Sequence, residues 1–203
     1  MDLITLGRTL GFSFAAGVNL YATVAILGLA SRYDWVDLPP QYAVFDNTFV
    51  IGAAIALYVV EFFADKIPYF DSLWDMIHTA IRPLGGALIA VATLGDASPT
   101  VEGLVAVLGG TVAAGSHLTK TSTRALANAS PEPFSNWLLS LGEDAFVVGL
   151  GLLALEYPIA ALVVAIGLIG LVAAFAVVIL RTVRRWFRRR PPDAMTHPPA
   201  VGH

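Results

Sequence analysis

Glu61, Arg82, Glu143 and Asp144 stand inside stretches that are otherwise apolar enough to enter a bilayer. An ionisable side chain is costly there and points to function by default. Two carboxylates held close together cannot both ionise cheaply, so such a pair binds a cation, shares a proton, or takes an arginine or lysine as partner. Arg82 is one available partner. His117, Lys120, Thr121 and Arg124 follow at i, i+3, i+4 and i+7 and share one helical face. His117 and Lys120 can bind an anion or carry a proton, while Lys120 and Arg124 serve equally as topology charges. Asn19 and Thr23 join this set because residues 15–23 match residues 113–121 at Ala, Ala, Gly, Leu and Thr, a constant offset of 98 that pairs Asn19 with His117 and Thr23 with Thr121. Asn19, Thr23, Glu61, Arg82, His117, Lys120, Thr121, Glu143 and Asp144 are the expected substrate or ion path. No catalytic residue is assigned.

A second constellation follows Glu61. Glu61 and Asp65 are one helical turn apart, as are Asp71 and Asp75, and His78 follows Asp75 at i+3. Carboxylate oxygens with one imidazole suit a divalent cation of the Mg, Mn or Zn kind, which makes Asp65, Asp75 and His78 a weak metal set. A charge network of Asp65, Lys66, Asp75 and Arg82 explains the same residues without a metal and is preferred, so no cofactor is expected. There is no Ser-His-Asp arrangement, His-Glu-x-x-His motif or phosphate-binding loop.

The elements that carry these residues follow from composition. The 203 residues are 57% hydrophobic and only 13% charged, with no cysteine and a formal net charge of -3. A soluble domain is roughly a quarter charged and a disordered chain is poor in apolar residues, so both are excluded, and the acidic balance argues against nucleic acid. The absent cysteines remove disulfides, thiolate metal sites and cysteine nucleophiles. Six stretches approach the length of a membrane span: residues 3–30, 48–67, 73–94, 101–118, 137–155 and 159–180. The fold class expected is all-α, a polytopic membrane helix bundle. Six spans place both termini on one side, and the positive-inside rule makes that side cytoplasmic, with only Arg32 of the twelve basic residues outside. The chain is therefore expected to be multi-pass in a bacterial inner membrane, its partner the lipid bilayer. Met1-Asp2-Leu3 lacks the basic start of a cleaved signal. Small-residue patterns such as Gly110 with Ala114 suit packing within a chain or in a homo-oligomer.

The offset of 98 suggests two inverted three-helix repeats, residues 1–97 and 98–182, followed by a basic and then Pro-rich cytoplasmic tail at 183–203 that is expected to be disordered. The third stretch has two readings. Either a helix runs through Arg82, or Pro83 breaks it, leaving an interfacial helix over 71–82, with Asp71, Asp75, His78 and Arg82 on one face, and half-helices or a re-entrant hairpin around Gly85-Gly86 and Gly109-Gly110. Residues 128–137 read as an ordered turn with a helix N-cap.

The chain resembles the bacterial membrane family classed as domain of unknown function 4126. The resemblance rests on Gly17-Val18-Asn19-Leu20-Tyr21-Ala22-Thr23, Glu61-Phe62-Phe63-Ala64-Asp65-Lys66-Ile67-Pro68, Trp74-Asp75 with His78-Thr79 and Arg82-Pro83, then His117, Lys120, Ser130-Pro131-Glu132-Pro133-Phe134-Ser135-Asn136 and Glu143-Asp144. It implies a multi-span membrane protein with no assigned activity. A small transporter or channel for an ion or small polar solute is the leading functional expectation. An intramembrane metal-binding enzyme and a non-catalytic scaffold or assembly factor are the alternatives.

Overall fold

The computed structural model describes residues 1–128 and 133–188. They form seven α-helices and one 3-10 helix, and no strand is present among them. The helices are α1 (Leu3–Val18), α2 (Leu20–Arg32), α3 (Thr48–Ala64), α4 (Pro68–Leu94), α5 (Pro99–Asn128), α6 (Pro133–Glu156) and α7 (Pro158–Arg188), with the 3-10 helix Pro40–Phe45 ahead of α3. A proline opens each of the four long helices, where its fixed φ suits the first turn and its missing N–H is no loss. Those four, α4 to α7, are long and apolar enough to cross a membrane. With 17 residues, α3 reaches about 25 Å at ~1.5 Å per residue, near the lower limit for a span.

The first apolar stretch does not run straight through the bundle. At Asn19 the backbone is extended (φ -147°, ψ 100°), which ends α1 and starts α2. Contacts along both helices fix their directions. Thr9 meets Thr93 at 3.1 Å, Ser13 donates to the Gly86 carbonyl at 3.4 Å, and Arg82 donates to the Gly17 carbonyl at 3.3 Å, so α1 descends antiparallel to α4 from the end where α4 finishes. Then α2 climbs back: Tyr21 bonds His78, Gly28 packs on Ile51 near the start of α3, and Arg32 reaches Asp46 at 2.8 Å. The pair is a re-entrant helical hairpin with Asn19 at its tip.

The single first span expected over 3–30 is thereby divided into two helices. Gly7 packs against the Pro158 carbonyl where α7 begins, and α7 then runs past Gly115 toward the opposite end. Leu3 and Arg188 therefore lie at opposite ends of the bundle, called here the near end (Leu3) and the far end (the turn between α3 and α4). Arg8, expected among the inner charges, belongs to the near end, where it donates to the Leu155 carbonyl at 3.2 Å and lies over the Tyr42 ring. Burial there pushes the Tyr42 phenol well above its ordinary pKa, against the smaller lowering effect of Arg8.

Small residues let the hairpin sit at the centre. Every residue of α1 from Gly7 to Val18 is buried, and α1 touches α4, α5, α6 and α7. A Cβ on Gly86 or Gly109 would collide with the facing helix at Ala113 or Ala90, so these positions set the close approach of α4 and α5. The stretches matched at an offset of 98 meet here, Gly17 against Ala113 and Ser116, but they differ in form, since α5 passes through His117 without a break. Nor does α4 break: Pro83 lies inside one continuous helix, which is the first of the two readings of that stretch, and the chain is interrupted at Asn19. α5 likewise continues ten residues beyond 118, carrying Lys120 and Arg124 on helical backbone. Residues 129–132 of the expected ordered turn, and the tail from 189, lie outside the described residues.

Candidate functional site

In α4, Asp71, Asp75, His78 and Arg82 are all buried, while Leu73, Met76, Ile77, Leu84 and Leu88 on the other faces are exposed. This is amphipathicity turned inside out. In water an apolar stripe seeks the core, whereas in lipid the polar stripe does. Of the two readings of this face, the one that brings Arg82 inside to meet Glu61 holds, and the interfacial one does not.

The buried polar stripes of α3, α4, α5 and α6 meet. Arg82 and Glu61, neither exposed at all, pair at 2.5 Å, and Arg82 lies 3.5 Å from Asp75. Lys120 is shared by three carboxylates: Asp65 at 3.1 Å, Glu61 at 3.3 Å and Glu143 at 3.6 Å. One turn on, Arg124 reaches Asp65 at 2.8 Å, Glu143 at 3.2 Å and Asp71 at 3.6 Å. Carboxylates from α3 and α6 thus converge, bridged by Lys120. Arg82 stands about 21 Å along α4 and Glu143 about 15 Å along α6 at ~1.5 Å per residue, so the network climbs from the far end toward mid-depth.

The hairpin tip closes the top of this network. Helix α1 ends with unpaired carbonyls and partial negative charge, and Arg82 donates to one of them, that of Gly17. Asn19 caps α2 by accepting from the Ala22 N–H at 2.9 Å, and its amide donates to Asp144 at 3.3 Å. His117 receives a hydrogen bond at Nδ1 from Arg82 at 2.9 Å. Since a guanidinium can only donate, Nδ1 is the acceptor and the imidazole proton is assigned to Nε2, which donates to Thr79 Oγ1 at 3.2 Å. Thr79 in turn donates to the Asp75 carbonyl. Thr23 and Thr121 spend their hydroxyls on their own helices, on the carbonyls of Asn19, and of His117 and Leu118.

Asp65, Asp75 and His78 do not gather around a common point. Asp65 is held by Lys120 and Arg124, His78 bonds Tyr21 and the Trp74 carbonyl, and among the described residues no three His, Asp or Glu side chains are grouped to hold a metal ion. The residues that sequence reasoning missed are organisers. Asn136 accepts from Arg124 at 2.7 Å and donates to the Asp65 carbonyl at 3.0 Å, and Ser140 accepts from Lys66. Their spacing to Glu143, i, i+4 and i+7 from Asn136, was the available signal. Tyr21 and Trp74 enclose His78, with the Trp74 ring stacked on it at 4.5 Å.

Two cavities border the network. One of about 330 Å³ lies between α4 and α5 and is lined by Asp71, Asp75, Thr121 and Arg124. The other, about 730 Å³, lies among α1, α5, α6 and α7 and has largely apolar walls, with Lys120 and Glu143 in its lining.

A family model described as "Domain of unknown function (DUF4126)" matches residues 6–178. The chain belongs to the DUF4126 family. No curated protein and no solved structure matches it at a significant level. In this DUF4126 protein the matched residues take in the hairpin from Leu6 onward, the network and both bordering cavities.

Proposed function

We propose that this membrane protein is a small transporter or channel for a cation or small polar solute, working through its intramembrane carboxylates. One observation carries the reading. Among the described residues, six carboxylates (Glu61, Asp65, Asp71, Asp75, Glu143 and Asp144) face four cations (Arg82, Lys120, Arg124 and the half-buried Lys66) in a site that is largely buried. Lipid opposes such a surplus of negative charge, so the site has capacity for a proton or another cation. One oxygen each of Glu61, Asp65 and Asp144 has no hydrogen-bond partner among the described residues, which leaves acceptors for it. A broken helix whose half-helix ends meet charged groups at mid-depth is also the device by which secondary transporters build ion sites.

The positive-inside rule orients the proposal. Lys66, Arg124, Arg181, Arg184 and Arg185 collect toward the far end, making that end cytoplasmic and placing the N-terminus outside, with α3 to α7 crossing and the hairpin dipping in from the outer face.

Thermal unfolding of the detergent-purified protein against proton, sodium, potassium, magnesium and manganese series tests cation occupancy. A bound cation at a hundred times its dissociation constant stabilises by about 2.7 kcal/mol. At least one series should raise Tm in the wild type and leave Glu61→Gln unmoved relative to its own baseline. A wild type indifferent to every series would contradict the reading.

A further inference from the structure

The larger cavity is built differently from the rest of the site. Its volume of about 730 Å³ suits a drug-sized ligand, and its walls include Phe14, Phe146 and Phe175. The first two rings meet edge to face at 6.0 Å. Phe146 lies one turn beyond Glu143 on α6, so an aromatic ring and a carboxylate share one helical face. Glu143 keeps 15% of its side chain accessible, whereas Lys120, Arg124 and Asp65 keep 2% or less. Glu143 is therefore the most accessible charge of this cluster at the cavity wall. Lys120 is already shared by three carboxylates and has little capacity left for an anion. Negative excess behind the wall, a carboxylate in it and aromatic faces around it all favour positive charge.

We infer that this cavity binds an amphipathic organic cation, its apolar body against α1, α6 and α7 and its cationic centre between Glu143 and the rings of Phe14 and Phe146. The inference rests on the proposed transport reading in that it names a substrate class for the same site. The sparse packing between α5, α6 and α7, the last packed on α1 along its first half and exposed along the rest, leaves such a molecule a lateral entrance.

Tetraphenylphosphonium and tetraphenylborate have the same shape and opposite charge, and calorimetric titration of the full chain in detergent, corrected for protein-free micelles, separates them. Tetraphenylphosphonium should bind saturably, and Glu143→Gln should weaken it at least tenfold. Gly142→Leu should abolish binding by filling the cavity, since Gly142 lines it and a Cβ there meets no atom within 4 Å. Saturable tetraphenylborate binding of equal strength, no saturable phosphonium binding, or phosphonium binding unchanged in both variants would overturn the inference. Phosphonium binding without any ion flux in liposomes would leave this inference standing and remove the transport reading. Flux without phosphonium binding would do the reverse.

Discussion

Arg82→Gln should be among the most destabilising single substitutions in this protein. The guanidinium has no exposure and serves α1, α3, α4 and α5 at once, through the Gly17 carbonyl, Glu61, Asp75 and His117. Glutamine can neither match the charge nor fork to several partners, so Glu61 is left buried with only Lys120 beside it, the α1 terminus loses its cap, and His117 loses the donor that fixes its tautomer. Removing one member of a buried ion pair costs about 3–5 kcal/mol. The expected readout is a large fall in detergent Tm or in monodisperse yield. Arg82→Lys should recover only part of it, because an ammonium is a point charge where the site uses a planar fork. A Tm within a degree of wild type for Arg82→Gln would show that the network does not hold the helices together.

Gly17→Val should do comparable damage by a different route. A Cβ at Gly17 would run into the Ala113 carbonyl and Ser116 Oγ. The first is helix backbone. The second is tied to the Phe14 carbonyl at 3.0 Å and to the Ala113 carbonyl at 3.1 Å, so neither withdraws easily. Overpacking costs about 1–3 kcal/mol and more where backbone must move, and here the backbone that moves carries the Gly17 carbonyl, the partner of Arg82. Gly52→Ala is the control, since a Cβ there meets nothing within 4 Å. Its Tm should stay at or above the wild-type value, since alanine favours helix over glycine, while that of Gly17→Val falls. Equal Tm values for the two would refute the close α1–α5 approach.

The chemistry of the site was more legible in the sequence than its geometry. A charged side chain inside an apolar run is conspicuous wherever the chain goes, so Glu61, Arg82, Glu143 and Asp144 could be named without a fold. The polar face of α4 was also visible from its spacing, but periodicity gives a stripe and not its direction. Whether Asp71, Asp75, His78 and Arg82 meet headgroups or protein depends on what packs against them. The hairpin was hidden because hydropathy measures how much apolar chain there is and not which way it runs. Residues 3–30 satisfy the length of one span, and only the extended backbone at Asn19, with its side chain capping α2, sends the chain back. The full length of α5 was obscured by Thr119, Ser122 and Thr123, which lower hydropathy yet bond to carbonyls four residues behind and so remain compatible with helix. Asn136 escaped notice because an amide near a helix start reads as a cap until Arg124 and the Asp65 carbonyl are seen around it.

Proton flux into pyranine-loaded liposomes, driven by a potassium diffusion potential, puts the role of the buried carboxylates to the most direct test. Wild-type protein should acidify the lumen faster than protein-free vesicles, with Glu61→Gln and Glu143→Gln each slowing it at least tenfold at equal reconstitution. A wild-type rate that both variants retain would contradict the account.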